Sequence, residues 1–193
     1  MRNLLNRRTV NTAAVLGLTL AATGIASAQA TATATRAAEV NAFGSILIVN
    51  PDYGQKKNFG YTAGVDYNRA APGRLAPGLE LRMTGSSGNT VSERTVLAGL
   101  QFQSAPMFGA HPFMTALAGI GTIGYSANFT TRPPESDFVY AFAAGADVPI
   151  RRNLKFRAEF VQQTWSYQPH NLTPVGLSIG ISYTVLGNGT LVR

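Results

Sequence analysis

The residues of this chain best equipped for chemistry are charges set among greasy neighbours at every second position. Lys155, Arg157 and Glu159 alternate with Leu154, Phe156, Ala158 and Phe160, and Glu80 and Arg82 alternate with Leu79, Leu81 and Met83. Asp66 and Asp147 lie near the ends of two further alternating runs. Period two places the charges of a strand on one face and its apolar groups on the other. The set holds four acids and three bases, so it is close to self-neutralising. Charges leave water only when paired and hydrogen-bonded. An enclosed set of this composition has two uses: a fixed ion network that fills an interior, or a gate whose pairs exchange partners. The fixed network is the expectation.

Other chemistry is thinly supplied. Nucleophilic hydrolysis needs a Ser or Thr beside a His that an acid orients. His111 stands beside Pro112 in a predicted turn, and His170 lies in Gln168-Pro169-His170-Asn171 in a predicted loop. Ser166 and Glu135 are the nearest conceivable partners of His170, with no signature spacing. There is no zinc motif and no phosphate loop. The chain has no cysteine, which excludes disulfides and thiolate metal sites. No catalytic residue, cofactor or metal is expected.

The elements that position the charges emerge when the chain is cut at its breakers. All ten prolines fall between candidate strands or at their margins. Eight segments remain, near residues 39–50, 59–68, 79–84, 94–103, 113–125, 138–148, 154–165 and 175–185. The last is the cleanest: Val175, Leu177, Ile179, Ile181, Tyr183 and Val185 alternate with Gly176, Ser178, Gly180, Ser182 and Thr184. The first is less regular, with Ile46 to Val49 continuously apolar, and the fifth is apolar on both faces. The lengths suit tilted membrane strands of roughly 9–11 residues.

Three features turn these strands toward lipid. The polar faces are dominated by Gly, Ala, Ser and Thr, as a narrow interior requires. Only 13% of the residues are charged, against about a quarter in ordinary soluble domains. Phe59, Tyr67, Phe102, Phe113, Tyr125, Phe138 and Tyr183 stand near strand ends, where an interfacial girdle belongs. A sheet in hydrocarbon tolerates no open edge, so the eighth strand must pair with the first. The expected fold is all-β: an eight-stranded antiparallel up-and-down transmembrane β-barrel, its interior filled by small and ionic side chains. The alternative is a soluble periplasmic or secreted barrel binding a small apolar ligand, with the faces reversed.

Residues 1–28 read as a cleaved signal peptide. Arg2, Arg7 and Arg8 are its basic region, Ala13 to Ile25 its apolar stretch, and Ala28 its cleavage position. A short lead over 29–38, the barrel over 39–185 and a tail over 186–193 follow. The chain carries +7, and removing the three signal arginines leaves +4. That mild excess, with no Lys/Arg block, does not argue for nucleic acid, and no nucleic-acid partner is expected; Arg151-Arg152 reads as a solvated turn. With both ends periplasmic, external loops fall near residues 50–58, 85–93, 126–137 and 166–174, and 70–78 and 104–112 become unusually long periplasmic connections.

The run Gly145-Ala-Asp-Val-Pro-Ile-Arg-Arg-Asn-Leu-Lys-Phe-Arg-Ala-Glu-Phe160 resembles the sixth-to-seventh strand hairpin of the small OmpA/OmpX-like outer-membrane barrels. His111-Pro-Phe-Met-Thr-Ala-Leu-Ala-Gly119 is similar to the family's fifth strand. The resemblance implies periplasmic termini and a role in membrane anchoring, surface interaction or envelope integrity. It implies outer-membrane lipid, lipopolysaccharide and the barrel assembly machinery as partners of a monomer. Interior ion pairs are a family trait, and Glu80, Arg82, Arg157 and Glu159 are the matching positions. The family usually ends on an aromatic residue, whereas this chain continues past Tyr183 to Arg193.

Overall fold

The computed structural model describes residues 38–52, 57–69, 75–89, 91–125, 134–166 and 171–187. The signal segment and its cleavage position at Ala28 lie outside them, as does His170. The described residues form eight strands: β1 (Ala38–Asn50), β2 (Asn58–Arg69), β3 (Leu75–Ser87), β4 (Val91–Ser104), β5 (His111–Tyr125), β6 (Glu135–Arg151), β7 (Leu154–Trp165) and β8 (Val175–Leu186). Each pairs antiparallel with its neighbours in chain order, and β8 returns to β1 with Ile179 opposite Ile46, closing the barrel. Closure removes the edge that lipid would punish. β1 starts and β8 finishes at one end, called here the terminal end; the opposite end is the loop end.

The faces follow the alternation. Phe156, Phe160, Leu177 and Ile179 look outward and are exposed, whereas Arg157 and Glu159 are buried in the lumen. A soluble barrel would have shown the reverse. In β1 the inward side chains are Asn41, Phe43, Ser45, Leu47 and Val49, with Ile46 and Ile48 outside, which explains its continuous apolar run. In β5, Phe113, Thr115, Leu117 and Ile123 point in while Met114 and Ile120 point out.

Several strands run past the breakers. β3 takes in Pro77, β5 starts one residue before Pro112, and β6 takes in Pro149. Each of these prolines is paired on one side alone: Pro77 with Phe102, Pro112 with Ala146, and Pro149 with Lys155 beside a register shift. A missing N–H is tolerated where a strand overhangs one neighbour. The second external loop consequently shrinks to a turn in which Gly88 N–H donates to the Val91 carbonyl at 3.0 Å. The connections at the terminal end are likewise shorter than expected, at 70–74 and 105–110.

The girdle expectation needs two corrections. Phe59, Tyr67, Phe102, Phe138 and Tyr183 face outward, but Phe113 is buried in the lumen and Tyr125 packs against the interior apolar cluster. Both lie on β5, whose two apolar faces gave alternation no means of choosing.

Candidate functional site

The terminal half of the lumen is ionic. Arg157 of β7 donates from Nε to Asp147 Oδ1 at 2.8 Å and from Nη2 to Asp147 Oδ2 at 2.9 Å. Asp147 is its cross-strand neighbour on β6, so this pair is set by register. Nη2 also reaches Asp66 Oδ2 on β2, at 3.0 Å. The guanidinium lies between two rings, 4.3 Å from the centroid of Phe43 and 4.6 Å from that of Phe113. A planar cation can bind carboxylates at its edge and aromatic faces above and below; an ammonium cannot. Phe43 has space because Gly64 carries no side chain: a Cβ there would stand 2.6 Å from the ring.

Arg82 of β3 forms the second node. Its Nη1 and Nη2 donate to Glu159 Oε1 and Oε2, each at 2.6 Å, and its Nε to Glu80 Oε1 at 2.6 Å. β3 and β7 are diametrically opposed in the ring, so the bidentate pair spans the lumen. Asp66 and Glu80 face one another across the β2–β3 ladder, a like-charge pairing that is unfavourable alone. Each is drawn to a different arginine, Asp66 to Arg157 and Glu80 to Arg82.

Lys155 turns to the barrel mouth. Its Nζ donates to Glu39 Oε2 at 2.9 Å and Asn41 Oδ1 at 3.4 Å. Asn41 and Asn68 each donate through Nδ2 to Asp66 Oδ1 at 2.7 Å, and Thr184 Oγ1 donates to Asn41 at 2.7 Å. Thus Asp66, Glu80, Arg82, Asp147, Lys155, Arg157 and Glu159 are all buried in the lumen. The sequence does not single out Glu39, Asn41 or Phe43, which complete their surroundings together with Phe113, expected in the girdle. Gln101 is fully buried with neither end of its amide partnered, and Thr115 Oγ1, opposite it, is also unpartnered.

The loop half is less ionic than expected: Glu93 of β4 is buried there and accepts from Ser86 Oγ at 3.1 Å, but apolar side chains dominate. Leu47, Leu97, Leu117, Ile123, Val139, Val161 and Trp165 form a continuous apolar cluster there, with Leu172 packed against it. Trp165 is fully buried and donates from Nε1 to Gln163 Oε1 at 3.1 Å. Its ring lies over Gly121, where a Cβ would approach it to 2.4 Å. The segment after β7 folds back: Trp165 N–H donates to the Leu172 carbonyl at 2.8 Å, and Gln163 N–H to that of Pro174 at 2.9 Å. Asp52, after β1, accepts from Thr173 N–H at 3.1 Å and Oγ1 at 2.9 Å, tying two loops together. The sequence signals for this layer were the doubly apolar faces of the first and fifth segments and a lone Trp ending the seventh.

Groups for catalysis do not converge among the described residues. His111 opens β5 opposite Asp147, and Ser166 follows β7 with its N–H on the Phe138 carbonyl at 3.0 Å. Gly176-Leu177-Ser178-Ile179-Gly180 has the spelling of a hydrolase nucleophile elbow. That motif needs a sharp strand-to-helix turn, whereas Ser178 sits mid-strand in β8, buried opposite Glu159 and Leu47. No group of three or more His, Cys, Asp or Glu side chains able to hold a metal occurs among the described residues.

Residues 18–184 match the family model described as the outer membrane protein beta-barrel domain. Among solved structures, Neisserial surface protein A is 10% identical, with a TM-score of 0.53 over 76% of this chain and 96% of that one. Ail of Yersinia pestis, solved with the heparin analogue sucrose octasulfate, is 15% identical, with a TM-score of 0.50 over 77% of this chain and 98% of that one. The N-terminal β-barrel domain of Pseudomonas aeruginosa OprF is 12% identical, with a TM-score of 0.50 over 74% and 97%. At these identities the likeness is one of fold. A search of curated proteins gives no match.

Proposed function

The chain belongs to the outer-membrane protein β-barrel family, and from that premise we propose that it is a non-catalytic integral barrel with an envelope-structural or surface-interaction role and a sealed lumen. The observation carrying this reading is the Arg82–Glu159 pair, which crosses the lumen between opposed strands. The apolar layer around Trp165 lies beyond it. An eight-stranded barrel has space for side chains and little else.

Planar-bilayer recording tests the seal. The purified barrel should give no unitary conductance, and Arg82→Ala and Arg157→Ala should leave the trace flat, because the apolar layer remains. Conductance that changes on either substitution would reassign the ion network to a gate. Activity on lipid that is lost in His170→Ala would replace the non-catalytic reading with a lipid-modifying enzyme. Export by the general secretory route with cleavage after Ala28 is part of the same proposal, and N-terminal sequencing of the membrane-fraction protein checks it. Outer-membrane lipid and lipopolysaccharide are the partners of the monomer in this reading, with the barrel assembly machinery acting on it during insertion.

A further inference from the structure

We infer that the terminal rim carries a lipid clasp: Met107 and Phe108 enter the apolar layer of the adjoining leaflet, while Arg151 and Arg152 bind the phosphates of anionic phospholipid. The β4–β5 connection ends in a two-residue hairpin. Met107 N–H donates to the Ala110 carbonyl at 2.8 Å, and Ala110 N–H to that of Met107 at 3.0 Å. The two residues between them, Phe108 and Gly109, have φ of 52° and 81°. Positive φ at both positions is the signature of a type I′ turn, which favours Asn-Gly, Asp-Gly or Gly-Gly.

Phe108 is the single non-glycine with positive φ among the described residues. A bulky side chain there is strained, and such strain persists where something other than the local fold selects the residue. The selection is not internal packing, because Phe108 is fully exposed and Met107 largely so. An aromatic group that opposes its own turn and buries nothing within the chain is placed to be buried by something else.

Two observations identify that partner as lipid. First, the tip continues the lipid-facing band: Leu75, Phe102, Met114, Val148 and Ile150 are exposed on the outer face at this end. The stretch from Gln103 to Ala110 contains no charge. Second, a basic pair stands on the neighbouring connection. Arg151 ends β6 and Arg152 begins the two-residue link to β7, both exposed. The rung joining His111 to Asp147 sets the two turns side by side on adjacent strands. Shallow apolar insertion combined with cationic contact is the two-part arrangement that holds a surface element on an anionic bilayer.

The inference rests on the outward band facing lipid, and the test separates the two claims. Because the chain lacks cysteine, a nitroxide can be placed singly through Phe102→Cys, Phe108→Cys or Asn153→Cys. The full barrel is reconstituted in phosphatidylcholine vesicles with and without phosphatidylglycerol, and collision of the label with oxygen and with a nickel chelate is compared. Labels at 102 and 108 should favour oxygen, and the label at 153 should favour nickel. A label at 102 that favours nickel would defeat the lipid-facing band itself. A label at 102 in lipid with one at 108 matching position 153 would overturn the clasp alone. Phosphatidylglycerol should deepen the label at 108, and Arg151→Gln with Arg152→Gln should abolish that effect; persistence would remove the arginines from the proposal. Immobilisation of the label at 108 only when a soluble periplasmic fraction is added would assign the tip to a protein and overturn the lipid reading.

Discussion

Arg82 meets Glu159 with both Nη atoms 2.6 Å from carboxylate oxygens, and the two residues stand on strands facing each other across the barrel. Hydrogen bonds within a ladder tie only adjacent strands. This contact ties the wall to its opposite side, so it resists flattening of the cylinder as well as filling it.

Removing one partner of this pair leaves a buried charge without its counter-ion. Arg82→Met or Glu159→Met should each destabilise by about 3–5 kcal/mol. Combining Arg82→Met with Glu159→Met should cost less than the sum of the singles, because Glu159 is no longer left without Arg82, although Glu80 still is. Urea unfolding followed by the shift in gel migration between folded and heated protein measures all four members of the cycle.

The loop-end layer should behave as an ordinary core. Trp165→Ala should destabilise by about 3–5 kcal/mol. Gly121→Ala should destabilise the native chain, since its new Cβ would stand 2.4 Å from the indole. It should cost less in the Trp165→Ala background, where only the Val139 Cγ2 approach at 2.8 Å remains. Equal effects of Gly121→Ala in both backgrounds, in the same unfolding measurement, would contradict the packing described for this layer.

Gln101 offers a substitution that improves the protein. Its amide is fully buried and unpartnered within the chain. Leaving a buried polar group unsatisfied costs about 1–3 kcal/mol, and replacing it by an apolar group of similar shape removes that cost. Gln101→Leu should therefore raise the urea midpoint, whereas Asp147→Leu, which removes two of the three carboxylate hydrogen bonds of Arg157, should lower it sharply.

The β4–β5 tip offers another. A left-handed conformation costs a side chain such as Phe roughly 1–2 kcal/mol, and Asn tolerates it better. Phe108→Asn should stabilise the barrel in detergent by up to about 1 kcal/mol. Differential scanning calorimetry in a non-ionic micelle would read the gain as a higher Tm.

How much was legible from the residues depended on whether the two faces of a strand differ. β7 and β8 have contrasting faces, and alternation assigns their inward and outward residues as the structure has them. It also puts Arg82 and Glu159 on opposed strands, from which their meeting follows. β5 presents apolar groups on both sides, so alternation misassigned Phe113 and Tyr125. The aromatic clamp on Arg157 was hidden for that reason. Alternation puts Lys155 on the inward face without naming its partner, and it reaches Glu39, because a long flexible ammonium at the mouth answers to its nearest carboxylate. Prolines misled at three strand ends, where overhang supplies pairing on one side and demands none on the other.

The division of the lumen along its axis bears on how the chain enters a bilayer. Before closure, both faces of every hairpin meet their surroundings. At the loop end, Leu47 between Ile46 and Ile48 makes the leading portion of β1 greasy on either side, whereas β4 carries Glu93 inward and Arg94 outward there. Lys155, Arg157 and Asp147 lie toward the opposite end, with Arg82 and Glu159 at mid-strand, and their enclosure is complete only when β1 pairs with β8. The uneven distribution thus gives insertion a direction, with the network around Arg157 among the last groups to leave water.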